Sequence, residues 1–108
     1  MRRKREAPFY NTAAVIFDTV TFRGNNATQT GGAVFNDSRS LMELKHSLFE
    51  GNSSHNDAGA IYNSATMKFG SEAVFRNNKS NGSGGAIYNN DNTTVLTLNK
   101  ALFENNSS

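Results

Sequence analysis

The stretch Phe49-Glu50-Gly51-Asn52, followed six residues later by Ala58-Gly59-Ala60-Ile61-Tyr62-Asn63, decides the fold of this 108-residue chain because both phrases recur. The first phrase, Phe-x-x-Asn, occurs four times, at spacings of 27, 26 and 28 residues. The second, small-Gly-Ala-aliphatic-aromatic-Asn, occurs three times, and its central glycine lies ten residues after the preceding phenylalanine each time. Two phrases repeated at this length are typical of stacked repeats.

Each repeat unit contains a third, looser phrase with the pattern apolar-x-apolar, such as Met42-Glu43-Leu44. Alternation with a period of two residues predicts a strand with one buried face. Each unit therefore reads as three short extended segments: the triplet, the lead-in to Phe-x-x-Asn, and the Gly-Ala phrase. Polar runs such as residues 52–57 and 77–83 have the composition of turns and loops.

A single unit of about 27 residues buries too little apolar surface to offset the roughly 1–2 kcal/mol per residue that ordering its backbone costs. Stacking parallel strands about 4.8 Å apart lets each unit pair with its neighbours. Equivalent side chains should then form structural columns along the stack. The predicted columns are Phe22, Phe49, Phe75 and Phe103; Asn25, Asn52, Asn78 and Asn106; Val34, Ile61 and Ile87; and Gly32, Gly59 and Gly85.

The charge of the chain is unevenly distributed. Of the net +2, residues 1–6 carry +3, and we expect residues 1–8 to form a disordered basic tail ahead of a repeat domain over residues 9–108. The repeat domain carries −1, so it lacks the basic surface expected of a nucleic-acid-binding domain. The sequence has no cysteine, and no run of apolar residues is long enough for a membrane span or a signal peptide.

The repeats resemble the Gly-Gly-Ala-Ile and Phe-x-x-Asn motifs of polymorphic outer membrane proteins and, more broadly, autotransporter passenger domains. Gly31-Gly32-Ala33-Val34 and Gly84-Gly85-Ala86-Ile87 carry the first motif, and Phe9-Tyr10-Asn11 looks like a degraded copy of the end of the second phrase. The resemblance implies an all-β, right-handed parallel β-helix of about four coils. It also implies a secreted or outer-membrane location at the cell surface, and adhesion or display of antigenic loops.

The same resemblance implies a host or cell-surface protein or glycan as the partner. Passenger domains have many more coils, which indicates that this chain is a fragment of a longer array. A short stack would have exposed strand edges at its ends, which would favour end-to-end self-association.

Three aromatic residues of the second phrase are candidates for a binding surface. If Val34, Ile61 and Ile87 point inward, strand alternation sends Phe35, Tyr62 and Tyr88 outward. Such a row could serve as a stacking platform for sugars or a contact surface for a partner protein. Alternatively, it packs under the following loop and stiffens the stack.

Catalytic, cofactor-binding and metal-binding residues are not predicted. Four aspartates, Asp18, Asp37, Asp57 and Asp91, occupy different places in the repeat, and His46 and His55 fall in different loops. The glutamates Glu50 and Glu104 share one row with Arg23 and Arg76, which predicts a charge ladder. The alternative function is a carbohydrate-binding or carbohydrate-active β-helix fragment, of lyase or hydrolase type, whose acidic residues lie outside this chain.

Overall fold

The computed structural model of the chain describes residues 9–28, 30–37, 40–90 and 94–108. The predicted basic tail, residues 1–8, lies outside the described residues. Eleven β-strands and no helix are found in this part of the chain. The strands are β1 Phe9–Asn11, β2 Ala14–Arg23, β3 Asn26–Ala27, β4 Val34–Asn36, β5 Leu41–Glu50, β6 Ser53–Ser54, β7 Ile61–Asn63, β8 Thr66–Arg76, β9 Lys79–Ser80, β10 Ile87–Asn89 and β11 Val95–Glu104.

The strands form three parallel sheets that run the length of the molecule. Sheet A has the order β1-β4-β7-β10, sheet B the order β2-β5-β8-β11, and sheet C the order β3-β6-β9. Each coil contributes one strand to each sheet, which gives three complete coils and two strands of a fourth within the described residues. The all-β solenoid is therefore confirmed, while its right-handed sense stays a prediction from the family resemblance.

The register of sheet A aligns the repeated phrases residue for residue. Val34 pairs with Ile61, and Ile61 pairs with Ile87. Phe9 pairs with Val34 at the start of the same row, so Phe9-Tyr10-Asn11 is a copy of the end of the second phrase. Phe9, the first described residue, therefore already lies in the register of the repeat.

The core is a column of apolar side chains enclosed by the three sheets. In β5, Met42, Leu44 and Phe49 are fully buried, while Glu43 between the first two is partly exposed. Sheet A closes the other side of the core with Val34 and Ile61. The alternation of the sequence thus matches the buried and exposed sides of each strand.

Two details of the unit differ from the prediction. The triplet and the lead-in to Phe-x-x-Asn form one long bent strand, and the bend falls at Thr19 in β2 and His46 in β5, which have φ values of +60° and +48°. His46 therefore lies in a strand and not in a loop. The polar runs predicted as loops contain the short strands β6 and β9, because their backbones pair with the neighbouring coils.

The length of the repeat also varies inside a strand. Between Phe69 and Ala73, β8 has three residues, where β5 has two between Leu44 and Ser47, so the register shifts at this point. A β-bulge accommodates the extra residue.

The corner after sheet B explains the third position of Phe-x-x-Asn. Gly24, Gly51, Asn77 and Asn105 occupy that position, with φ between +57° and +66°. Glycine and asparagine tolerate this left-handed conformation better than other residues. The chain therefore turns sharply out of sheet B at the same place in every coil.

Candidate binding surfaces

The phenylalanines of Phe-x-x-Asn stack face to face inside the solenoid. Ring centroids are 5.0 Å apart for Phe22 and Phe49, 4.9 Å for Phe49 and Phe75, and 4.8 Å for Phe75 and Phe103, with interplanar angles of 5–8°. Phe69 packs edge-on against Phe49 and Phe75. This column belongs to the scaffold, because its rings face the core.

The asparagines of the same phrase form a hydrogen-bonded column beside the rings. Asn78 Oδ1 accepts hydrogen bonds from the backbone N–H and the Nδ2 of Asn52, both at 3.0 Å. Asn78 Nδ2 in turn donates to Asn106 Oδ1 at 2.8 Å and to the Phe49 carbonyl at 3.0 Å. The amide group thus joins three successive coils, and both its donor and its acceptor are used.

A second asparagine column, which was not among the predicted columns, is formed by the last residues of the sheet A strands. Asn11 Nδ2 donates to Asn36 Oδ1 at 2.9 Å, Asn36 Nδ2 to Asn63 Oδ1 at 2.9 Å, and Asn63 Nδ2 to Asn89 Oδ1 at 3.1 Å. Three of the four side chains are buried. The signal was present in the sequence, since the second phrase ends in asparagine in every copy.

The central glycines mark the closest approach between sheet C and the chain entering sheet A. A Cβ atom on Gly32 or Gly59 would lie 2.0 Å from the carbonyl oxygen of the next glycine in the column. On Gly85 it would lie 2.6 Å from the backbone nitrogen of Ser107. No side chain fits at these positions, so the glycine column is structural.

On the outside of sheet B, the predicted charge ladder forms. Arg23 Nε lies 2.9 Å from Glu50 Oε1, Arg76 Nη1 lies 3.8 Å from Glu50 Oε2, and Arg76 Nε lies 2.8 Å from Glu104 Oε1. These four side chains neutralise one another. They offer little net charge to a ligand.

Sheet A carries a continuous outward column of four aromatic side chains, because Tyr10 joins the predicted Phe35, Tyr62 and Tyr88. Successive ring centroids lie 4.9, 4.7 and 5.3 Å apart with interplanar angles of 6°, 12° and 18°. Each ring stacks face to face on its neighbours, and the ring edges point toward solvent. Two phenol groups are anchored: Tyr10 Oη donates to Asp37 Oδ2 at 3.0 Å, and Tyr62 Oη to Asn90 Oδ1 at 2.6 Å.

The acidic and histidine side chains are dispersed within the described residues. Asp18 lies 3.8 Å from His46 Nδ1 on sheet B, Asp37 accepts from Tyr10 beside sheet A, and Asp57 accepts from the Ser83 backbone. Asp91 lies outside the described residues. No group of three His, Cys, Asp or Glu side chains in this part of the chain could hold a metal ion.

A polar groove runs along sheet C, with a cavity volume of about 590 Å³. Its walls are formed by three outward residues of the sheet, Asn26, Ser53 and Lys79, and by the residues that follow each short strand. The lining residues are Asn26, Ala27, Thr28, Ser53, Ser54, His55, Lys79 and Asn81. Sequence analysis missed this groove, because it assigned residues 52–57 and 77–83 to loops without a common register.

The fold and these surfaces define a parallel β-solenoid repeat module, with structural columns inside and exposed columns outside. The chain belongs to the Chlamydia polymorphic membrane protein (Chlamydia_PMP) repeat family, whose model matches residues 19–37, 46–64 and 72–90. These three segments cover 57 of the 108 residues. Each runs from the bend of sheet B through the corner and sheet C to the residue that follows a sheet A strand.

Proteins of this family are associated with the outer membrane or the cell surface. No curated protein and no solved structure matches the chain. In the described ranges, no helix has the length and apolar character needed to cross a membrane.

Proposed function

We propose that this chain is a non-catalytic, adhesin-like segment of a surface protein, in which the solenoid is a rigid support and the aromatic column of sheet A contacts a partner. The family supports a surface location. The observation that carries the proposal is the column itself, since Tyr10, Phe35, Tyr62 and Tyr88 remain partly exposed in a continuous row.

The geometry of the column favours a protein partner. Sugars stack on free aromatic faces, and here each inner ring has both faces against its neighbours. What remains exposed are ring edges and phenol oxygens, which combine an apolar body with a polar tip. Tyrosine is enriched in protein–protein interfaces for this reason.

The test compares binding of the purified, labelled chain to cultured epithelial cells with that of the Tyr62→Ala/Tyr88→Ala variant. We expect binding to fall by at least about tenfold, because central aromatic residues in an interface each contribute roughly 2 kcal/mol or more. The matched control is Ile16→Ala, which removes an apolar side chain that is 66% exposed on sheet B. The control should bind like the original chain.

Thermal unfolding separates binding from packing. A second variant, Tyr62→Phe/Tyr88→Phe, keeps the stack, because Phe35 already occupies the same column, and removes only the hydroxyl groups. We expect this variant to keep its melting temperature within a few degrees and to bind several-fold more weakly. Unchanged binding by both double variants would overturn the proposed role of the column, and a loss of binding that merely follows loss of folding would assign the rings to the scaffold.

A further inference from the structure

The groove along sheet C is a second surface, separate from the aromatic column, and its floor is rigid. Ala27, Ser54 and Ser80 form a buried row in register, and the hydroxyls of both serines donate to carbonyl oxygens three residues further on. The backbone N–H groups of Ser53, His55 and Lys79 all donate to the preceding coil. The backbone positions that carry the wall side chains are therefore fixed relative to one another.

The walls present two parallel rows of polar side chains. Asn26, Ser53 and Lys79 are aligned by strand pairing. Thr28, His55 and Asn81 each follow one of the three strands. The backbone N–H of His55 donates to the Ala27 carbonyl and that of Asn81 to the Ser54 carbonyl, which keeps these residues in register. Successive members of a row are separated by the spacing of parallel strands, about 4.8 Å.

The electrostatics of the groove differ from those of sheet B. Lys79 and His55 form no ion pair with any described residue, whereas both Arg23 and Arg76 on sheet B are paired. None of the described residues that line the groove is acidic. The nearest acidic residue along the chain is Asp57, whose Oδ1 accepts the Ser83 N–H. The groove thus offers the uncompensated charge of Lys79 next to neutral donors and acceptors.

The chemistry of the lining residues indicates which class of ligand fits the groove. A protein partner needs apolar or aromatic side chains at the centre of its interface, and the one apolar lining residue, Ala27, is fully buried. Single-stranded nucleic acid needs a series of aromatic rings for its successive bases, and the described lining residues offer only the imidazole of His55. Sugar hydroxyls both donate and accept, so they match the amides and hydroxyls of Asn26, Ser53 and Asn81.

We propose that the sheet C groove binds a linear acidic polysaccharide, with Lys79 and His55 contacting its carboxylate or sulfate groups and Asn26, Ser53 and Asn81 bonding its hydroxyls. This site goes beyond the proposed contact through the aromatic column. It gives the segment a second ligand class on a different face.

The experiment measures binding of the purified chain to heparin, which carries sulfates and carboxylates, and to hyaluronan, which carries carboxylates only. Dextran, a poly-glutamate peptide and a thymidine oligonucleotide are the comparison ligands. We expect at least one acidic polysaccharide to bind, binding to weaken as salt is raised, and dextran to bind much more weakly. The heparin and hyaluronan arms distinguish sulfate from carboxylate recognition.

Two matched variants decide whether the groove is the site. Lys79→Gln/His55→Gln should weaken polysaccharide binding by about tenfold or more, because charge-assisted hydrogen bonds are lost. Lys45→Gln/Lys68→Gln removes two exposed lysines of sheet B that form no ion pair with a described residue, and it should change binding by less than about twofold. All four positions are exposed, so both variants should melt like the original chain.

Three results would overturn the proposal: no binding to either polysaccharide, equal losses in the two variants, or equal or tighter binding to the peptide or the oligonucleotide. Cell binding that depends on Tyr62 and Tyr88 would be unaffected by such a failure. Conversely, polysaccharide binding can hold when the tyrosine variants bind cells normally. The two proposals therefore fail separately.

Discussion

At the scale of single residues, asparagine is used as a connector between coils. Each interior Asn amide accepts from the coil before it and donates to the coil after it, as Asn52 and Asn78 show. Its Nδ2 also caps the carbonyl of a phenylalanine in the preceding coil. Because the side chain is buried, each of these polar atoms needs a partner.

Asn78→Ala should therefore be costly. The change removes a buried amide that accepts from the backbone N–H and the Nδ2 of Asn52 and donates to the Phe49 carbonyl. We expect the free energy of unfolding to fall by about 2–4 kcal/mol, since each unsatisfied buried group costs about 1–3 kcal/mol. The measurement is urea unfolding, with exposed Asn81→Ala as the control, for which we expect a change within about 0.5 kcal/mol. Similar losses in both variants would contradict the connector role.

Ser47, unlike the bonded asparagines, has a buried polar group that makes no hydrogen bond within the described residues. Its Oγ is the one buried side-chain oxygen or nitrogen in the described part of the chain that lacks a hydrogen-bond partner, and Ala73 occupies the same row. Ser47→Ala should raise the free energy of unfolding by about 1 kcal/mol, because it removes a desolvated hydroxyl without leaving a large cavity. Ser53→Ala, which removes a hydroxyl bonded to Asn26 in a partly exposed site, should bring no gain. A stability decrease in Ser47→Ala would show that its hydroxyl is satisfied in solution.

At the scale of strands and turns, the spacing between coils at sheet C is set by glycine. Gly59 lies so close to Gly85 and Lys79 that the coils cannot approach to hydrogen-bonding distance with a Cβ between them. The bonds at risk include Gly59 N–H to the Gly84 carbonyl at 2.9 Å and Ala60 N–H to the Ala86 carbonyl at 2.9 Å. Backbone pairing between the coils therefore requires a residue without a side chain at this position.

Gly59→Ala should lower the free energy of unfolding by more than about 3 kcal/mol, because the added Cβ would lie 2.0 Å from a backbone oxygen and the neighbouring coils must separate. Gly70→Ala is the matched control. Its Cβ would meet only flexible side chains at 3.8 and 3.9 Å, and alanine suits a strand better than glycine does. We expect Gly70→Ala to be neutral or slightly stabilising in thermal unfolding. Comparable melting temperatures for the two variants would show that the coils tolerate the wider spacing.

At the scale of the whole molecule, the same side chain has a different environment in different coils. Phe49 and Phe75 are fully buried, whereas Phe103, in the last described coil, is 46% exposed. Position along the stack, and not the residue type, fixes how much each ring stabilises the fold. A solenoid differs in this respect from a compact domain with one central core.

Phe75→Ala should therefore cost about 3–5 kcal/mol, the usual range for a buried phenylalanine. Phe103→Ala should cost less than about half as much, since the ring contacts a neighbour on one face only. Denaturant unfolding of the two variants, analysed for both midpoint and slope, measures the difference. Equal costs would indicate that Phe103 is covered in solution.

The exposed side chains of β11 also lead us to expect self-association. Leu98, Leu102 and Phe103 are 38%, 49% and 46% exposed, and the charge ladder ends in Glu104 at this side and in Arg23 at the other. A second copy added head to tail would continue the alternation of charge and the column of rings. Sedimentation velocity over a range of concentrations should detect the association.

Leu102→Lys should shift the chain toward the monomer, because a charge on an edge strand opposes pairing. Leu48→Lys places the same charge in the same row of an inner coil and should leave the association unchanged. If the original chain stays monomeric at high concentration, the expectation fails. If both variants dissociate equally, the contact does not involve the edge of β11.

The sequence by itself determined the number of residues per coil, the parallel register of sheets A and B, and the inward columns of Phe and aliphatic residues. The length of the repeat and the alternation of apolar residues suffice for this, because a side chain that recurs at the same place in every coil lies next to its copies in the neighbouring coils. Only the tertiary structure decided that both faces of the Phe35 and Tyr62 rings are occupied, that Ser53 and Lys79 belong to a third sheet with a groove, and that Thr19 and His46 bend sheet B. The third sheet and the bends leave no periodic trace, because the residues that form them differ from one coil to the next.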